Sequence, residues 1–341
     1  MTDPDLSLAT AETAGLTYVS DEAPGIRRRK RGKGFSYELP DGTVLSDPGE
    51  RARIASLAIP PAWTDVWVCP SPDGHILATG RDDKGRKQYR YHPEWSRVRS
   101  EDKFSSLPTF ADALPCLRER VDADLRRRNL PREKVLALVV RLLDQTLIRV
   151  GNEAYAAENE SYGLTTMLPD HVDVEGGCIA FDFTAKGGLA RNVYVEDQRL
   201  AQVVKACSEL GGQDLFTYRG EDGVHDVTST DVNTYLREVI GQGVTAKHFR
   251  TWGGTVSAAA ALVITRPAES EAQAEKAVLA AYDVAAEVLG NTRTVCRESY
   301  VHPAVPEAYR SGHLAELWPR TRPTRWLDRP ERLVQRLLDG D

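Results

Sequence analysis

The period of the hydrophobic pattern changes near residue 96, and a chain that switches period in this way is expected to form two folding units of different class. From Phe35 to Tyr91 the apolar stretches are short and broken by turn residues. "FSYELPDGTVL" holds the hairpin signal Asp41-Gly42, and "DVWVCPSPDGHILATGRD" sets Pro70, Asp73 and Gly74 between two strand-like runs. "KQYRYH" alternates, with Tyr89 and Tyr91 on one side and Gln88 and Arg90 on the other. Residues 26–96 therefore predict a small antiparallel sheet with one or two short helices, one of them around residues 48–57. Beyond "HPEWSRVRSEDKF", expected as a linker, the period becomes helical. "REKVLALVVRLLDQTLIR" places Val135, Leu138, Val139, Leu142 and Leu143 on one stripe. "TSTDVNTYLREVIG" opens on a hydroxyl cap and stops at Gly241, and a long Ala-rich helix stops at Gly290. Inside this region "HVDVEGGCIAFDFTAKGGLARNVYVED" reads as three strands turning at Gly176-Gly177 and Gly187-Gly188, which puts Lys186 at a hairpin tip. The expected class is α+β: the small sheet, then a larger, mainly helical domain over 97–341 with a short hairpin sheet. Residues 1–25, acidic and unpatterned, are expected to be a disordered tail.

Several function classes are excluded at this level. No run of 18 apolar residues and no basic-then-apolar start is present, so neither a membrane span nor export is indicated. Five cysteines without a CxxC pair suit reduced thiols in the cytosol. The histidines form no HxxxH or HExxH pair, and there is no GxxxxGK[ST] loop and no carboxylate cluster suited to two-metal chemistry. The net charge of −6 hides an asymmetry: residues 1–25 carry five acids and no Lys or Arg, whereas residues 26–91 carry 13 Lys or Arg against 8 acids. Polyanion affinity follows where cations cluster. The run Arg27, Arg28, Arg29, Lys30, Arg31 and Lys33 fits either such a patch or a solvated arm.

Candidate chemistry gathers on Tyr300 in "LGNTRTVCRESYVHP", with Arg149 in "LIRVGNEAY", Lys186 in "FDFTAKGG", Arg250 in "AKHFRTW" and Asn291 nine residues before the tyrosine. A phenol, with a reference pKa of about 10, is a poor nucleophile at neutral pH. Cations and hydrogen-bond donors around a phosphodiester favour phenolate character and stabilise charge on the phosphate oxygens. Each residue also has an ordinary reading: Arg149 as a surface partner of Glu153, Lys186 as an exposed turn lysine, Asn291 as a helix C-terminal residue. Phe249 and Trp252 are expected to wall in Arg250, and His248 to pack.

In this order these motifs, together with "IPPAWTDVWVCPSPDGHILATGRDDKGRKQYRYHPEW", resemble type IB DNA topoisomerases of the bacterial, poxvirus-like branch. The resemblance runs from "GFSYELPDG" to "RESYVHP"; many relatives have His where this chain has Asn291. It implies a C-shaped clamp on double-stranded DNA, with Tyr300 attacking a phosphodiester to form a 3′-phosphotyrosyl link. It implies Lys186 as the acid for the 5′-oxygen and Arg149 and Arg250 on the phosphate. Asn291, a carboxamide, can only hydrogen-bond there. It further implies DNA contacts from Gln88, Tyr89 and Tyr91 among Arg81, Lys84, Arg86 and Lys87, and from Tyr155. No cofactor is expected: no ATP and no required metal, with Mg2+ able to stimulate. The expected enzyme is a monomer in the cytoplasm, associated with the nucleoid and not with membrane. The rivals are a tyrosine recombinase, which usually carries a helical N-terminal domain and an HxxR motif where this chain has His248-x-Arg250, and a non-catalytic DNA-binding protein.

Overall fold

The computed structural model describes residues 4–340 apart from 33, 84 and 266, so Lys33 of the basic run and the candidate Lys84 lie outside the described residues. The chain divides into two compact units, Met1–Lys103 and Phe104–Asp341. The first contains α1 (Pro4–Thr13), β1 (Ile26–Arg31), β2 (Gly34–Glu38), α2 (Pro48–Ser56), β3 (Thr64–Val68), β4 (Ile76–Arg81), β5 (Lys87–Tyr91) and most of α3 (Pro93–Ser105). Its five strands form one antiparallel sheet in the order β2-β1-β3-β4-β5. Ile26, Leu45, Ile54, Val66, Val68 and Ala78 make the core against α2. The Asp41-Gly42 turn forms as its sequence dictates, Leu45 N–H donating to Tyr37 O at 2.8 Å, although the returning arm is a single bridge.

Two expectations are corrected in this unit, and one of the two readings of the basic run is dropped. The basic run is no solvated arm: Arg27 to Arg31 pair residue by residue with β2, and Arg28 donates to Pro60 O at 3.1 Å and Trp63 O at 2.6 Å while lying 4.2 Å from the Phe35 ring centroid. The acidic segment is no loose tail. Past α1, Thr17 bridges to Gly74, Tyr18 stacks on His75 at 4.2 Å, and Ala23 O accepts from Trp67 Nε1 at 3.0 Å. The reason lies in β3, where Val66, Trp67 and Val68 are all buried, so this sheet has two dry faces and needs a cover on the second. The linker is α3, opened by Pro93 and Glu94, both favourable in a first helical turn, and anchored by buried Trp95 edge-on to His75.

The second unit runs α4 (Leu107–Asp124), α5 (Arg132–Thr146), α6 (Glu153–Asn159), β6 (Val172–Glu175), β7 (Cys178–Ala185), β8 (Leu189–Glu196), α7 (Gln198–Ser208), β9 (Thr217–Arg219), β10 (Val224–Asp226), α8 (Ser229–Ile240), α9 (Lys247–Val263), α10 (Glu271–Leu289), α11 (Arg293–Ser299), α12 (Ala304–Arg310), α13 (His313–Leu317) and α14 (Arg329–Asp339). Every residue from Val135 to Val140 is buried, so α5 is the axis of the core and not an amphipathic surface helix. Thr228 caps α8 in a reciprocal box with Asp231, and Ser270 caps α10. β6, β7 and β8 form the expected antiparallel sheet, with Ala185 opposite Leu189 and Lys186 in the turn between them. Among the described residues no helix is long and apolar enough to cross a membrane.

Candidate active site

Helix ends build this site. α5 closes at Leu147, which takes a left-handed conformation, and the chain then delivers half-buried Arg149. Arg250 sits on the inward face of α9 at 4% exposure, walled by Phe249 and Trp252 as expected. Its guanidinium donates through Nη1 to Leu147 O, at the end of α5, and through Nη2 to Leu289 O at 2.9 Å, at the end of α10. A cation is favoured at both places by the carbonyl ends of the helix dipoles. Arg250 Nε is buried and has no partner among the described residues. Just past α10, Asn291 Oδ1 accepts from Arg149 Nη2 at 2.8 Å, so Arg149 turns to Asn291 and not to Glu153. Asn291 Nδ2 is likewise buried without an oxygen or nitrogen acceptor among the described residues, the Cys296 thiol lying beside the carboxamide.

Tyr300 follows α11 directly as its C-terminal cap. Its carbonyl accepts from Thr255 Oγ1 of α9 at 3.2 Å. A Cβ built on Gly254 would lie 2.8 Å from that carbonyl, so glycine is what lets the tyrosine backbone settle on α9. The guanidinium carbon of Arg250 stands 5.2 Å from the ring centroid. Burial alone would raise the Tyr300 phenol, but the charge and hydrogen bond of Arg250, then the charges of Arg149 and Lys247, outweigh it and hold the phenol below its ordinary value. Burial, and next the like charge of Arg149, bring Arg250 down to about 10, against the pull of Tyr300. An acidified phenol beside two guanidiniums and an open carboxamide donor is equipped to bind a phosphate and attack it.

Sequence reasoning missed Arg191. With Ile148, Arg149, Tyr162, Phe183, Ala185, Arg250 and Leu289 it lines a small pocket. No carboxylate among the described residues pairs with the three guanidiniums; carbonyl oxygens and the Asn291 carboxamide hold them. Arg149 and Arg250, like charges gathered without counter-ions, have the signature of an anion site, with Arg191 at its edge on the α10 carbonyls. Lys186 is exposed at its hairpin tip, one residue beyond the pocket-lining Ala185. Lys247, at the start of α9, adds positive charge near Tyr300 and was also missed; its neighbour His248 is packed, its Nε2 2.8 Å from Ser106 Oγ.

The candidate DNA contacts of the first unit lie along β4, β5 and the turn joining them. Tyr89 and Tyr91 are exposed and stacked, their centroids 5.7 Å apart. Gln88 faces the other way, its amide donating to Asp82 at 2.9 Å, and Arg86 pairs with the same carboxylate at 2.8 Å. Lys87 reaches Asp21 of the N-terminal segment at 2.7 Å, and Arg81 donates to Gly85 O. Tyr155 lies on α6.

Comparison with known proteins points to one family. A family model described as the eukaryotic DNA topoisomerase I catalytic core matches residues 92–314, and one described as the bacterial DNA topoisomerase IB N-terminal domain matches residues 34–82. The chain is 33% identical over 298 residues to DNA topoisomerase 1B of Acanthamoeba polyphaga mimivirus, spanning 84% of this chain and 88% of the viral protein. DNA topoisomerase 1B of vaccinia virus (strain Copenhagen) is 20% identical over 86% of this chain and 92% of its own length. A solved XerH site-specific recombinase bound to difH substrate matches at a TM-score of 0.35 and 16% identity, over 61% of this chain and 53% of the other, too low a likeness to carry an argument.

Proposed function

This chain belongs to the type IB DNA topoisomerase family and is a DNA topoisomerase; from that premise we propose how its own residues perform the reaction. Tyr300 Oη attacks a backbone phosphorus of duplex DNA, the bond to the 5′-oxygen breaks, and a 3′-phosphotyrosyl link forms. The phenol proton passes to solvent, and Lys186 gives a proton to the departing 5′-oxygen. Arg149 and Arg250 neutralise the non-bridging oxygens as charge builds on them, and Asn291 Nδ2 donates a neutral hydrogen bond. The cut strand rotates about its partner, and the 5′-hydroxyl then attacks the phosphotyrosine to restore the duplex. The covalent link conserves the energy of the broken bond, so neither ATP nor a metal is needed; Mg2+ stimulates by screening phosphates. The two units act as a C-shaped clamp in a monomer, the first gripping DNA through Tyr89, Tyr91 and the cations around them.

The observation that carries this reading is the buried, carboxylate-free guanidinium of Arg250 against the Tyr300 ring, with the unpartnered donors Arg250 Nε and Asn291 Nδ2. Buried donors left open in a free protein call for an explanation, and a bound phosphate supplies one. The test is to stop plasmid relaxation with denaturant, in chelator and without nucleotide. A covalent adduct with the wild-type protein, and none with Tyr300→Phe although it still binds DNA, is the expected result. Adduct recovered from Tyr300→Phe removes this residue as nucleophile, and a strict need for metal or ATP removes the mechanism.

A further inference from the structure

Arg191 lies on β8, opposite Phe183 of β7 and five residues past Lys186 across the hairpin turn. Its neighbours Leu189, Ala190 and Asn192 are exposed, whereas Arg191 itself is half-buried. The guanidinium reaches out of the hairpin to the last turn of α10, Nη1 donating to Glu287 O at 3.4 Å and Nη2 to Val288 O at 3.2 Å. Leu289 O, the next carbonyl, is held by Arg250, so two guanidiniums share one helix end. Gly290 leaves room for this: it is left-handed, and a Cβ there would stand 2.7 Å from Arg191 Nη1. The next residue is Asn291, the partner of Arg149. Burial and the like charge of Arg149 both hold Arg191 below its ordinary value, and the carbonyl end of α10 holds the guanidinium there against them.

We propose that Arg191 is a positioning residue for Lys186: it clasps the β7–β8 hairpin to the carbonyl end of α10, so that the lysine is presented to the phosphate bound at Arg149, Asn291 and Arg250. This rests on the reading of Lys186 as proton donor to the 5′-oxygen. A clasp of this kind acts on one half of the chemistry only. Loss of Arg191 leaves Tyr300, Arg149, Arg250 and Asn291 in place and displaces the acid.

Single-turnover cleavage of one DNA duplex with either an ordinary phosphodiester or a 5′-bridging phosphorothiolate tests this, because sulfur leaves without protonation. Arg191→Ala and Arg191→Gln are expected to slow ordinary cleavage roughly 10-fold or more, a part of the roughly 10²–10⁴-fold that a general acid supplies. On the sulfur linkage most of that loss disappears, and Arg191→Ala combined with Lys186→Ala is no slower on the ordinary linkage than Lys186→Ala alone. Arg191→Lys recovers part of the rate, since one ammonium can still reach a carbonyl. Equal losses on both linkages place Arg191 at the phosphate oxygens and overturn the clasp, as does an unchanged rate for Arg191→Ala or for Arg191→Gln. If Lys186→Ala itself is not rescued by sulfur, the proton-donor reading fails and takes the clasp with it, an outcome distinguishable because Arg191 then need not be varied at all.

Discussion

The guanidinium carbon of Arg250 lies 5.2 Å from the centroid of the Tyr300 ring, while its two terminal nitrogens hold Leu147 O and Leu289 O. One side chain thus fastens the loop that carries Arg149, the turn that carries Asn291, and the phenol. This geometry needs a planar fork with several donors, which lysine does not have. Arg250→Lys is therefore expected to behave almost as badly as Arg250→Ala, each slowing single-turnover cleavage by roughly 10²-fold or more, the scale of one lost transition-state donor. A lysine variant that cleaves within a few-fold of wild type contradicts the bridging role. Arg149→Ala is expected to cost a similar factor but to leave the melting temperature nearly unchanged, because its hydrogen bond among the described residues is to a side chain.

The same charges set the pH dependence. Burial pushes the Tyr300 phenol up, and Arg250, Arg149 and Lys247 more than reverse this. Removing a positive charge weakens the reversal, so the phenol of Arg149→Ala has a higher pKa than that of wild type. The alkaline rise of the cleavage rate is expected to move to higher pH in Arg149→Ala. A rise that stays in place or moves down shows that the phenol does not feel Arg149.

Much of this was legible in the chain because it is local. The cap at Thr228, the stops at Gly241 and Gly290, the Asp41-Gly42 turn and the Lys186 hairpin each depend on a few adjacent residues. The candidate quartet was legible through the strings around Arg149, Arg250, Asn291 and Tyr300. Arg191 was not, since nothing near it in sequence marks an arginine on an alternating strand; its seat is made by carbonyls 96 and 97 residues later. The N-terminal segment was misread for a related reason. Its acids looked solvated, but Asp21 accepts from Thr79 at 2.9 Å and pairs with Lys87, partners supplied by the second dry face of the sheet. Composition cannot report that a strand such as β3 is buried on both sides.

Past the matched catalytic core, α14 is tied back by a buried ionic knot. Arg118 bonds Asp144 at 2.8 Å and Glu331 at 2.6 Å, and Glu331 also accepts from Trp252 Nε1, two residues from Arg250. Removing one partner strands the other charge, and Glu331→Ala is expected to destabilise the protein by about 3–5 kcal/mol. Burial alone would raise the Glu331 carboxyl, but the hydrogen bonds and charge of Arg118 outweigh it and hold it low. A carboxyl depressed on folding contributes stability above its unfolded value of 4.5, and loses it as pH falls through the folded value. The difference in unfolding free energy between wild type and Glu331→Gln is expected to shrink below that pH; a gap that stays constant down to strongly acid solution rules out the ionic account.

Asn291 offers the sharpest test of the anion site. Its Oδ1 already accepts from Arg149, and its buried Nδ2 is the group left to meet a phosphate oxygen. Asn291→Ala removes one neutral donor, and cleavage is expected to fall by an order of magnitude or more. Asn291→Asp changes almost no volume but places a carboxylate where the phosphate oxygens would sit, paired with Arg149. That carboxylate neutralises the arginine and repels the phosphate, so Asn291→Asp is expected to be slower than Asn291→Ala despite being the smaller change in shape. Lowering the pH should narrow the gap, because protonation restores a neutral side chain that can donate. Single-turnover rates of the two variants across pH decide the matter: if the aspartate variant matches or exceeds the alanine variant at neutral pH, no phosphate oxygen lies against residue 291.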